Sequence, residues 1–217
     1  MDLMTRRRAL LARVESGGRL PAEYQEVEYL EGLGEQYIDT GMNLAGDIYG
    51  FQVDAQFTGT LGSSNEIRYI CGSRSSYQDN RLTVQIQGTT AENHMRFEAD
   101  NEYVLSGVSG FDRHVYKISP IGMQVDDVSY GIPIIRRSGL RFYIFNITNG
   151  SNAPIAGRYW KGRIYNIDLL GYAGNIIYTF VPCYRKQDSK PGMYDLVTNT
   201  FFTNAGTGEF VVGADVN

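Results

Sequence analysis

From Tyr24 onward, apolar and polar positions alternate in short runs and do not recur at helical spacing. Val27 and Tyr29 fall on one face of such a run, with Glu26 and Glu28 on the other, so a strand is expected over Tyr24 to Leu30. Gln36 to Gly41 is a second short strand closed by glycine. Asp47 to Phe57 is longer, and Arg81 to Gln87 alternates cleanly with Leu82, Val84 and Ile86 inward. Further strands are expected over His94–Ala99, Glu102–Leu105, His114–Ser119, Gly122–Asp126, Leu140–Ile147, Tyr159–Leu170 and Asn175–Cys183. About a dozen strands with turns at short intervals point to an antiparallel sandwich, and the count suits a jelly roll with two large sheets.

One segment breaks the pattern. Leu3, Met4, Leu10, Leu11 and Val14 share one side at helical spacing, which predicts an amphipathic helix over residues 2–16 stopped by Gly17-Gly18. So short a helix is marginal alone, and its apolar stripe needs a partner. A second copy of the chain or a larger assembly is the expected partner, ahead of the domain itself or a membrane surface. Residues 1–18 are therefore read as helix and linker, and 19–217 as the sandwich.

The C-terminal stretch is the most distinctive. Thr179 to Arg185 reads as a buried strand. Asp195-Leu196-Val197 and Phe201-Phe202-Thr203 flank Thr198-Asn199-Thr200, a hairpin turn in which Asn199 takes the left-handed conformation. Asn204 to Gly208 forms another turn before a last strand at Phe210–Val212.

Composition agrees: 217 residues carry 16 Tyr, 10 Phe and 25 Gly but only 6 Pro, as an all-β domain would. A net charge of −4 disfavours a general nucleic-acid binder. No apolar run is long enough to span a bilayer. Arg6-Arg7-Arg8 precedes an apolar stretch too short for a signal peptide. Cys71 and Cys183 both sit in apolar, strand-like contexts and read as buried free thiols.

Leu20 to Leu30 with Gln36-Tyr-Ile-Asp-Thr-Gly41 resembles the opening of laminin-G-like, concanavalin A-like jelly-roll domains of phages, prophages and gut-type bacteria. Phe180-Val-Pro-Cys-Tyr-Arg185, Gly192 to Val197 and Phe202 to Gly208 look like the ending of the same group. Arg113 to Ile118, Gly122 to Asp127 and Lys161 to Tyr165 are similar to its central strands. Gly32-Leu33-Gly34-Glu35 and Asn199 depart from the usual turn residues. The resemblance implies a concanavalin A-like antiparallel jelly-roll sandwich, here with a short N-terminal α-helix. By family habit it also implies recognition of surface glycans in a virion or cell-envelope protein, although fold alone does not fix function.

Candidate chemistry is sparse. Some glycosidases of this fold carry a Glu-x-Asp-x-Glu strand, and Glu98-Ala-Asp-Asn-Glu102 has that spacing. In one regular strand those Cα atoms would stand roughly 13 Å apart, whereas retaining hydrolysis needs carboxyls about 5–5.5 Å apart. Asp100-Asn101 reads more simply as a turn. His94 and His114, the two histidines, have no metal-ligand spacing and no nucleophile elbow beside them. No metal site or cofactor is expected. The resemblance leaves calcium open at a rim loop such as Ser75–Asn80 or Asp126-Asp127.

Glycan binding would use exposed aromatics with amide and charged groups. The expected residues are Arg74, Tyr77, Asp79 and Asn80 in one loop, Asn149 and Asn152 in another, and Trp160. The reading is a non-enzymatic binding or structural module of a phage or prophage virion, expected to be a homo-oligomer. Its partners would be a surface glycan or host cell surface and other virion proteins, with the bacterial cell surface as the other location. A purely structural virion protein and a glycoside hydrolase using Glu98 and Glu102 are the alternatives.

Overall fold

A computed structural model describes residues 19–62, 65–76, 80–88 and 93–216. The described residues form strands and turns with no helix among them. The fold expected from sequence, an all-β sandwich with a short N-terminal α-helix, is corrected to an all-β fold without that helix. The helix placed on residues 2–16 lies outside the described residues and has no support. An apolar stripe of that length is a weak signal because a short helix draws its stability from packing rather than from its own turns. Among the described residues no helix is long and apolar enough to cross a membrane.

The strands are β1 (Tyr24–Glu26), β2 (Leu30–Leu33), β3 (Ile38–Asn43), β4 (Gly50–Phe57), β5 (Ile67–Arg74), β6 (Arg81–Gly88), β7 (Asn93–Ala99), β8 (Asn101–Val104), β9 (His114–Ser119) and β10 (Gly122–Val125). They continue as β11 (Val128–Gly131), β12 (Arg141–Ile144), β13 (Thr148–Asn149), β14 (Ala153–Pro154), β15 (Lys161–Leu170), β16 (Ile176–Arg185), β17 (Lys190–Asp195), β18 (Thr200–Thr203) and β19 (Val211–Val212). One sheet runs β11-β10-β9-β4-β15-β16-β17-β18, with β1 added to β16 and β2 held between β15 and β19. The other runs β14-β13-β5-β6-β7-β8, with β12 bridging β3 and β5. Strand pairing is antiparallel except where β13 runs parallel to β5. The architecture is compatible with a jelly-roll sandwich.

The alternating positions meet between the sheets. Phe51, Val53, Ile118, Ile164, Ile167 and Phe180 of the first sheet join Leu82, Val84, Ile86, Phe97 and Ile144 of the second in one buried cluster. Each such side chain contributes about 1.5–3 kcal/mol by leaving water. The C-terminal run serves two clusters, because alternate residues of a strand face opposite ways. Phe180 and Met193 enter the main core, whereas Val181, Cys183 and Tyr194 pack behind the sheet under Leu20, Tyr24 and Phe201.

Two departures from the expected strands have physical causes. The run Tyr24 to Leu30 divides because its halves pair with different strands. Tyr24–Glu26 follows β16, Val27 bridges to Asp215, and Leu30 onward follows β15. β5 was not among the expected strands, since it is buried along almost its whole length and lacks alternation. It also carries Gly72, at φ 132°, where a Cβ would stand 2.2 Å from the Leu82 carbonyl oxygen. Only glycine allows β6 this close.

Candidate functional site

The two loops expected to bind glycans do come together. Asn149 lies opposite Arg74 in the β13–β5 register, and the Gly150 N–H donates to the Arg74 carbonyl at 3.1 Å. Their side chains are less available. Arg74 is buried, donating from Nη1 to the Tyr69 hydroxyl at 3.0 Å. Asn152, at φ 54°, spends Oδ1 on the Arg141 N–H and its carbonyl on the Tyr143 hydroxyl. Asn149 is exposed and Asn80 is half-buried. Tyr77 and Asp79 lie outside the described residues, as do Leu3, Met4, Leu10, Leu11 and Val14.

Trp160 is in the core, 1 % exposed and 5.0 Å from the Phe57 ring, so it offers no face to a sugar. Phe142, Tyr143 and Phe145 are buried as well. A ring that is exposed is Tyr172, in the turn between β15 and β16, edge-on to Tyr49 at 5.2 Å. Nothing in its local sequence separates it from the buried tyrosines.

The Glu98–Glu102 pair looks different in three dimensions. Asp100 takes φ 66° and turns β7 into β8, so the two glutamates are direct cross-strand partners on one face. Facing residues in such a pair have Cβ atoms about 4.5–5.5 Å apart, not the strand-length separation of a continuous run. Arg81 Nη1 reaches Glu98 Oε1 at 3.4 Å and Glu102 Oε1 at 3.5 Å, while Nη2 donates to the Asp100 carbonyl at 3.0 Å. Thr83 Oγ1 donates to Glu98 Oε2 at 3.0 Å, and Gln85 Nε2 lies 3.4 Å from Oε1.

Alternation would place Arg81, Thr83, Gln85 and Glu98 on a solvated face, yet all four are buried. Burial raises the Glu98 pKa, outweighing the opposing pull of Arg81 and Thr83. Tyr69, beside Arg74, is pushed up to about 12 by burial and then by the Glu98 charge.

A second feature is open. A hollow of about 450 Å³ is lined by Leu33, Glu35, Gln36, Arg68, Lys161 and Thr207, with glycines between them. It lies where the segment Glu35–Tyr37 is joined to Asn204–Thr207. The Ala205 N–H donates to the Tyr37 carbonyl at 2.8 Å, and the Tyr37 N–H donates to Asn204 Oδ1 at 3.1 Å. Thr207 Oγ1 donates to Glu35 Oε2.

Gln36 is the keystone, because its Oε1 accepts the N–H groups of Leu33, Gly34 and Glu35 at 2.8, 3.1 and 3.3 Å. Gly208, at φ 73°, must lack a side chain there: a Cβ would come within 2.8 Å of Gln36 Nε2. Arg68 is fixed by Gly157, whose carbonyl accepts from Nη1 at 2.6 Å, and by Glu66. In sequence Gln36 reads as the start of a short strand and Asn204–Gly208 as a turn before the last one. The same contacts that join these two segments also line the hollow.

Among the described residues no three His, Cys, Asp or Glu side chains are grouped to hold a metal ion. Asp126, weighed for calcium, accepts the Val115 N–H at 2.9 Å and lies 2.7 Å from His114 Nδ1. No protein-family model matches the chain, and no curated protein matches it.

Proposed function

We propose that the chain is a non-enzymatic carbohydrate-recognition module whose binding site is the hollow around Gln36. The observation that carries this reading is the lining itself. An amide, a carboxylate, a hydroxyl and two cationic side chains surround a space of sugar-unit size, with exposed Leu33 beside them for C–H surface. Hydrogen bonds hold Gln36, Arg68, Glu35 and Thr207 before any ligand arrives, which lowers the ordering cost of binding. The laminin-G-like character and the virion setting rest on the resemblance of the end motifs.

Retention on immobilised polysaccharides, followed by calorimetry, tests the reading. Glu35→Ala with Leu33→Ser, both exposed, is expected to weaken a retained glycan about tenfold, a loss near 1.4 kcal/mol. Failure to retain any polysaccharide at millimolar ligand would sink it.

Glycoside hydrolysis is the second reading, favoured by the cross-strand meeting of Glu98 and Glu102 and by the raised pKa of Glu98. Against it, the Glu98 side chain is 3 % exposed and tied to Arg81. Reducing-end assays on β-glucans separate the two: turnover present in the wild type and lost in Glu98→Gln would make the protein an enzyme.

A further inference from the structure

Three donors around the hollow have no hydrogen-bond acceptor among the described residues. With Oε1 of Gln36 occupied by three N–H groups, the amide orientation is set and Nε2 must donate elsewhere. Gln36 is 5 % exposed, no acceptor among the described residues meets Nε2, and that nitrogen is not sealed from solvent. Arg68 Nε is buried with no hydrogen-bond partner, although the outer nitrogens of the same guanidinium are engaged.

Lys161 completes the set. Its stem packs beside Gly34 and Gly59. With Lys117, it is one of two cations with neither a salt bridge nor a side-chain hydrogen bond among the described residues, although its charge is close enough to help lower the Glu66 pKa. The other cations are paired, as in Arg113–Asp54, Arg141–Asp39 and Lys190–Glu209. The nearby carboxylates are already engaged, Glu66 by Arg68 and the Gly62 N–H, and Glu35 by Thr207. Of these donors only Arg68 Nε is sealed from solvent; the other two stand at the open mouth of the hollow, where a ligand that supplies acceptors can replace their water.

From this convergence we infer that the hollow takes a carboxylate-bearing sugar, of the uronic acid class. The carboxylate sits against Lys161 and the Gln36 amide, and Glu35 receives a ring hydroxyl. The inference rests on the carbohydrate reading above and narrows it to acidic glycans. A neutral sugar would leave the ammonium with no charged hydrogen-bond acceptor of its own. A carboxylate forms charge-assisted bonds with it, roughly twice as strong as neutral ones.

Two-dimensional amide NMR spectra of the full chain, titrated with galacturonate, its neutral methyl ester and galactose sulfate, provide the test. Galacturonate is expected to shift the Gln36 side-chain amide and the Gly208 N–H, binding about tenfold tighter than the ester. Added salt should weaken the acid but not the ester. Lys161→Gln should bring the ratio to about one, and Lys161→Arg should keep it. The salt arm reads the same charge in the wild type if a variant folds poorly. Equal binding of acid and ester, preference for the sulfate, or an unchanged ratio in Lys161→Gln each overturns the inference and leaves carbohydrate recognition standing. No shift with any of the three sugars overturns the inference, and failure to retain any immobilised polysaccharide as well overturns the carbohydrate reading.

Discussion

At the scale of single residues, Glu98, Asp168 and Asp126 make stability depend on pH in opposite directions. Glu98 is raised by burial above the ordinary glutamate value of 4.5, so the folded chain keeps a proton that the unfolded chain has released. Its contribution is full below that ordinary value and is lost as pH rises through the folded pKa. Asp168, also raised by burial despite donors from Thr179 and Asn166, has the same sign. Asp126 has the opposite sign. Burial raises it, but the Val115 N–H and His114 bring it below the usual range, and its contribution is lost in acid. Urea midpoints of wild type and Glu98→Gln, compared from about pH 4 to about pH 8, should show the wild type losing ground steadily to the variant as pH rises. A difference that ignores pH would mean that Glu98 titrates as a solvated group.

At the scale of elements, the C-terminal hairpin is the part read best in advance, because its signals are local. Asn199 does take the left-handed conformation, at φ 57°, between β17 and β18. Turn geometry of this kind depends on a few neighbouring residues. What supports the turn was less visible. Asp195 is fully buried and accepts the N–H groups of Val197 at 3.1 Å, Thr198 at 3.0 Å and Thr179 at 3.3 Å, besides the Thr198 hydroxyl at 2.5 Å. One carboxylate therefore ties the hairpin to the neighbouring strand β16. Asp195→Ala strands these donors in the interior and is expected to cost about 3 kcal/mol or more in urea denaturation. A loss under about 1 kcal/mol would mean that water replaces the carboxylate without penalty.

At the scale of the whole molecule, the two cysteines report on the sandwich as a unit. Cys71 lies on β5 in the main core and Cys183 on β16 in the cluster behind the other sheet. Burial raises both thiols, Cys183 to about 12 with a smaller push from Glu26. Because the thiolate is the reactive form, neither should react with a disulfide reagent in the native chain. Labelling in increasing urea should follow the global unfolding curve for both. Rapid modification of either thiol without denaturant would show that its sheet opens independently.

The sequence by itself determined the class of structure. Alternation, turn glycines and asparagines act over a few residues, and most expected strands fall within two or three residues of those observed. Tertiary structure decided which of those strands meet, and so decided the site. Tyr37 and Asn204 bond across 167 positions, and Lys161 joins Gln36 from a third part of the chain. It also buried Arg81, Thr83 and Glu98 on a face that alternation marks as solvated, and it folded Glu102 back onto Glu98. Local pattern fixes the direction in which each side chain points. What that side chain then meets depends on pairing between segments far apart, for which the chain carries no local signal.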